Sequence, residues 1–147
     1  MTAMNIPDRS CSVMPIAYSL EPGLSAAEFR AVLIASTLGK RRPVDDLQRL
    51  DKMLRQADVI ATARDGSRLV GIARAITDFC YSCYLSDLAV DVAYQRQGIG
   101  RQLIAEAHRS AGELTSLVLV AAPGVESYYA RIGMEQRPSC WTVRRKR

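Results

Sequence analysis

The sequence predicts an α/β domain of the α+β kind, a single sheet with helices packed on it, and three observations lead there. Apolar residues recur at helical spacing in some segments and as β-branched runs in others, along the length of the chain. Asp65-Gly66 stands between two such runs as a hairpin signal, so part of the sheet is antiparallel. The apolar stretch Leu88-Ala89-Val90 leads into the glycine loop Gln95-Arg96-Gln97-Gly98-Ile99-Gly100, which opens a helix.

Ile16 to Leu20 reads as a first strand, ended by Glu21-Pro22-Gly23. Ser25 and Glu28 then have capping-box spacing, with Phe29, Val32 and Leu33 on one helical face and Gly39 placed to stop the helix. The basic segment Lys40-Arg41-Arg42 leads through Pro43 to a second helix carrying Leu47, Leu50 and Leu54. Val59 to Ala63 and Leu69 to Ile76 are the strands of the hairpin, and a third strand runs from about Tyr81 to Val90. Beyond the loop, Ile99, Leu103 and Ala107 share a helical face, and Gly112 is the expected stop. Ser116 to Ala122 carries an unbroken apolar run, as in a strand covered on both faces. A short helix after Pro123-Gly124 holds Tyr128 and Tyr129 and ends at Gly133, and Met134 to Val143 returns as strand.

A chain of 147 residues with 48% apolar and 24% charged residues reads as one soluble domain spanning 1–147, without repeats or low-complexity segments. Its net charge of +5 is concentrated in Arg144, Arg145, Lys146 and Arg147, a run expected to be a solvated end, so no nucleic-acid partner is inferred. Met1 to Ser12 lacks the apolar stretch of a signal peptide and no run is long enough for a membrane span, so a cytoplasmic location without membrane association is the expectation. Cys11, Cys80, Cys83 and Cys140 are too few for a disulfide scaffold.

The chemistry begins at the glycine loop. A strand, then Gly98-Ile99-Gly100, then a helix gathers unpaired backbone N–H groups and about half a positive charge at one spot, which suits a phosphate. A Walker loop would need Gly-Lys-Ser/Thr, and the dinucleotide fingerprint would need glycine where Leu103 stands. A diphosphate site of another type is left.

Gln95-x-x-Gly98-x-Gly100, preceded by Asp87-Leu88-Ala89-Val90 and followed by an amphipathic helix, resembles the coenzyme A signature of the GNAT N-acetyltransferase superfamily. Ser127-Tyr128-Tyr129-Ala130-Arg131-Ile132-Gly133-Met134 resembles that family's second motif, and the element order matches it along nearly the whole chain. The resemblance implies a mixed, mostly antiparallel central sheet of six to seven strands flanked by about four helices. It also implies acetyl-CoA as cofactor and direct acetyl transfer to the primary amine of a small molecule, with homodimers frequent in the family. Two other readings stay open, a peptide or protein N-terminal acetyltransferase and a non-catalytic coenzyme A-binding sensor.

Placed on this chain, the resemblance implies that backbone groups of Leu88 and Val90, with Ala89 between them, pair with the pantetheine arm like an extra strand. The Val90 N–H would lie near the thioester oxygen, where negative charge develops. The loop from Gln95 and Arg96 onward would hold the diphosphate on the N–H groups of Gln97, Gly98, Ile99, Gly100 and Arg101. Tyr129 matches the family's tyrosine near the sulfur, where its hydroxyl protonates the departing thiolate. Many relatives place Glu or His at the positions occupied here by Ser86 and Tyr84. Asp87 is the nearest carboxylate and the candidate base, with a water relay as the other route, although strand alternation turns it away from Ser86, Leu88 and Val90. Its alternative is a structural hydrogen-bonding role at the strand end.

Other residues carry less. Tyr128 is expected to pack. Cys80-x-x-Cys83 lies where a strand begins, and zinc would need two more ligands, so no metal is expected. His108 should sit on the solvent side of its helix in a structural role. Trp141, beside Cys140, either lines the acceptor pocket or closes the core, and the core is favoured.

Overall fold

The computed structural model describes residues 15–146; the leader reading of Met1 to Ser12, together with Cys11 and Arg147, lies outside them. The elements run β1 (Ala17–Leu20), α1 (Ala26–Ala35), α2 (Leu47–Arg55), β2 (Val59–Asp65), β3 (Arg68–Thr77), β4 (Ser82–Val90), α3 (Ile99–Ala111), β5 (Ser116–Val118) and α4 (Glu126–Arg131), with single 3-10 turns at Leu38–Arg41 and Val92–Tyr94. Ser25 caps α1 by accepting the Glu28 N–H, as its spacing implies. The helix stops earlier than Gly39, because the Ser36 hydroxyl turns back to the Leu33 carbonyl at 2.9 Å and Thr37 takes a left-handed φ of 72°.

The strands form one sheet of five, in the order β1-β2-β3-β4-β5. Neighbours are antiparallel as far as β4, and β5 joins β4 in parallel after the crossover through α3. The mixed, mostly antiparallel sheet and four flanking helices therefore agree with expectation, while the six to seven strands do not. Ser116 to Ala122 contributes only the three residues of β5, and it is not covered on both faces: Val118 is 52% and Val120 59% exposed. Met134 to Val143 adds no strand; Pro138 in its middle has no N–H to give a ladder. Trp141, expected in the core, is 92% exposed.

Helices cover the sheet on both faces. On one, Phe29, Val32 and Leu33 of α1 and Leu50 and Leu54 of α2 bury Ile60, Ile72 and Ala89. On the other, Ile99, Leu103, Ala107 and Ala111 of α3 lie one turn apart over Ala61, Ala63, Ala73 and Ala75. Small residues under α3 let it approach closely: a Cβ on Gly71 would stand 2.9 Å from Leu103 Cδ1 and 3.3 Å from Ile99 Cγ2. Since α3 carries the glycine loop at its head, this packing sets where the loop stands relative to β4. No helix among the described residues is long and apolar enough to cross a membrane.

Candidate active site

The site is built on the free half of β4. Along its other side β4 pairs with β3 from Cys83 to Val90, but β5 reaches only Ser82 to Tyr84. From Leu85 onward that edge has no neighbouring strand among the described residues. The Asp91 N–H bonds the Val70 carbonyl at 2.8 Å, and with Ala89 opposite Ile72 the alternation of an antiparallel ladder turns the peptide groups of Leu88 and Val90 away from β3. Their N–H and C=O groups line the open edge, and the Val90 carbonyl accepts from Gln95 Nε2 at 3.0 Å.

The open edge runs into the head of α3. Arg96 and Gly98 take left-handed φ values of 63° and 79°, and Gly98 caps the helix with no side chain bonded to its first-turn amides. The first intrahelical bond is from Gln102 N–H to the Gly98 carbonyl at 3.1 Å, so the Ile99, Gly100 and Arg101 amides precede it. Gln95, Arg96, Gln97 and Gly98 are exposed, while Ile99 and Gly100 are buried. A clasp holds this connection to the β2–β3 hairpin. The Asp91 carboxylate accepts the Ala93 N–H at 2.9 Å and pairs with Arg68 at 2.8 Å, Arg68 lies over the Tyr94 ring, and the Tyr94 hydroxyl donates to Asp65 at 2.6 Å.

From α4, Tyr128 and Tyr129 meet edge to face with ring centroids 5.2 Å apart. Tyr128, expected only to pack, reaches the glycine loop: a Cβ on Gly100 would run into its hydroxyl and come within 3.8 Å of Val90 Cγ2. Burial pushes the Tyr128 hydroxyl pKa up, with Arg101 and Arg131 opposing the shift. Burial also raises that of Tyr129, and Tyr128 adds to the rise. Both stay protonated through the neutral range.

Asp87 is placed differently from the sequence reading. Ser86 is an extra residue on β4, because Arg74 faces Asp87 while Ala75 faces Leu85. The bulge breaks the alternation and leaves Ser86 and Asp87 on the same face, that of α1 and α2. The Arg42 Nε donates to one carboxylate oxygen of Asp87 and the Arg74 Nε to the other. Arg42 also donates to the Ser86 carbonyl at 2.8 Å, and Arg74 to the Ser86 hydroxyl at 2.8 Å and to the Met53 carbonyl at 3.2 Å. With a fully enclosed side chain and both oxygens held by guanidinium groups, Asp87 fastens the bulge to α2 and the α1–α2 connection. That geometry is of the structural kind: the carboxylate is enclosed and paired with two guanidinium groups. Arg42 and Arg74 were missed in the sequence, though an arginine amid the apolar residues of β3 signals a buried partner.

His108 does not face solvent: it is half-buried, with Nε2 2.8 Å from the Thr115 carbonyl, which is a structural role. Cys80 is exposed and Cys83 buried.

Comparison with known proteins bears on the fold and the family. Histone acetyltransferase TAP1 of Glycine max is 34% identical over 73 residues, 48% of this chain and 32% of that protein. The chain thus spans about a third of the length of the first curated relatives it matches. Among solved structures, a GNAT-family acetyltransferase from Streptococcus pneumoniae TIGR4 superposes with a TM-score of 0.71 at 25% identity, covering 89% of this chain and 100% of that one. The aminoglycoside N-acetyltransferase AAC(6')-Iy, solved in complex with CoA, has the same fold, with a TM-score of 0.68 at 19% identity over 90% of this chain and 95% of that one. The model of the acetyltransferase (GNAT) domain matches residues 36–139, from the end of α1 past the tyrosines of α4, and by that match this chain belongs to the GNAT acetyltransferase family.

Proposed function

We propose that the chain is an acetyl-CoA-dependent N-acetyltransferase, one catalytic domain acting on the primary amine of a small molecule. The observation that carries this reading is the open edge of β4 running directly into the uncapped head of α3. One offers an unpaired strand to an amide-containing arm, the other unpaired amides to a diphosphate, in the order in which coenzyme A carries them. Acetyl-CoA supplies an acetyl group activated as a thioester. Leu88 and Val90 would align the arm through their outward peptide groups, Val90 N–H would polarise the thioester oxygen, and the amides from Gln97 to Arg101 would hold the phosphates. Tyr129 would donate its proton to the leaving thiolate.

The fold likeness to an aminoglycoside N-acetyltransferase supports a small-molecule acceptor. The histone acetyltransferase relative favours a second reading, a peptide or protein amine.

Tyr129→Phe should lower kcat about 100-fold, the lower end of what a positioned general acid contributes, while the calorimetric Kd for coenzyme A stays as in the wild type. Because burial raises the Tyr129 pKa, the sign of the pH effect is fixed: the acid form persists as pH climbs through the neutral and mildly alkaline range, and kcat should not fall there for lack of it. Wild-type turnover in Tyr129→Phe would remove the residue from the mechanism.

A further inference from the structure

Three side chains in direct register form an exposed row across the sheet. Ile76 of β3 faces Tyr84 of β4, and Tyr84 faces Val118 of β5. Register partners project from the same face, and Arg74, two positions before Ile76 on β3, bonds the Met53 carbonyl of α2, so the row lies on the α1–α2 face beyond the reach of those helices. Ile76 is 47%, Tyr84 41% and Val118 52% exposed. The same face carries Ser86 at the bulge, beside the edge of β4 assigned above to the acetyl donor. An apolar floor next to the reacting centre is where the body of an acceptor would rest.

The same face also limits which amines can react. Attack needs the unprotonated amine. The β4 carboxylate, Asp87, has both oxygens held by Arg42 and Arg74, and the carboxylate of Asp58, just before β2, accepts the N–H of Thr77, the last residue of β3, at 2.9 Å. Tyr84 and Ser86 bring hydroxyls to this face, neither a carboxylate nor an imidazole. With no imidazole and no unpaired carboxylate on β4, the proton leaves to water, and the fraction of amine already unprotonated in solution weighs directly on the rate. At pH 7.5 roughly a quarter of α-amino groups with pKa about 8 are unprotonated, against about one in a thousand lysine-like amines with pKa about 10.4.

We propose that the acceptor is a weakly basic amine on an apolar or aromatic body, typified by the free α-amino group of a hydrophobic residue, and not a polycation. This assignment rests on the donor site proposed above. As the amide N–C bond forms, the thioester C–S bond breaks. The nitrogen gives up one proton to water, and the thiolate takes one from Tyr129, which recovers it from water.

The test is thiol release from acetyl-CoA at pH 7.5 with five acceptors. Phenylalaninamide and a phenylalanine-headed dipeptide present a weakly basic α-amine, phenethylamine presents the same ring on a strongly basic amine, and spermidine and kanamycin are polycations. The α-amines should exceed phenethylamine in kcat/KM by at least about tenfold and the polycations by more. The rise of kcat/KM with pH should follow the pKa of each acceptor. Tyr84→Ser and Val118→Ser, both at exposed positions, should raise KM for phenylalaninamide severalfold while the calorimetric Kd for coenzyme A holds. A preference for spermidine or kanamycin, or a KM unmoved by both substitutions, would overturn the acceptor assignment while leaving the donor site standing. Absence of coenzyme A binding in the wild type would overturn the donor site itself.

Discussion

Gly100 shows how a single missing side chain shapes the site. It lies in the first turn of α3, and the space a Cβ would fill is taken by the Tyr128 hydroxyl, with the Tyr128 Cζ at 3.3 Å. The glycine thus lets α4 dock against the head of α3, in addition to any approach it allows a phosphate. Gly100→Ala should push Tyr128 aside, weaken coenzyme A binding about tenfold and cost about 1–3 kcal/mol of stability as overpacking does. Because the hydroxyl makes the closest contact, adding Tyr128→Phe should recover much of both losses. Calorimetric titration with coenzyme A and urea unfolding of the single and double variants check this. A double variant no better than Gly100→Ala would mean that the conflict lies elsewhere.

Among elements, β4 determines the site, and its bulge is the feature that strand alternation could not show. Ser86 is held in place because Asp87 is gripped by Arg42 from the α1–α2 connection and by Arg74 from β3. Asp87→Ala would leave Arg74, which is 5% exposed, as an uncompensated buried charge, and should cost about 3–5 kcal/mol in urea unfolding. A loss below about 1 kcal/mol would show that water replaces the carboxylate and that the bulge is held by other means. The hairpin, α3 and α4 were legible in the sequence because local signals define them: Asp65-Gly66, the apolar positions of α3 repeating by the turn, and Gly133 with φ 90° after α4. The bulge, the early end of α1 and the shortness of β5 were not. Each depends on a partner distant in sequence, or on the lack of one, as where the edge of β4 opens. Tyr84 and Ser86 were identified as positions of interest, but the register row joining Tyr84 to Ile76 and Val118 needs the sheet.

Across the whole molecule, the packing is uneven in a way that bears on the cofactor. β2 to β4 lie between two layers of buried side chains from α1, α2 and α3, whereas α4 contributes no buried residue and β5 covers only three positions of β4. The proposed donor site lies on the seam, with Leu88, Val90 and Gly100 on the packed side and Tyr128 and Tyr129 on the thin side. Coenzyme A bound there would join the two and stabilise the fold by mass action. At a free concentration of about 100 times Kd this amounts to about 2.7 kcal/mol, a rise in Tm of roughly 5–10 °C for a chain of this size. Amide hydrogen exchange should slow at Leu88, Val90, Ile99 and Gly100 and along α4, with little change in the middle of β2, where Ala61 to Arg64 are paired on both sides. Gly100→Ala should reduce the shift in Tm at the same coenzyme A concentration, because its Kd is higher. A Tm unmoved by millimolar coenzyme A would contradict the donor site, and protection confined to β2 and β3 would place the ligand away from the seam.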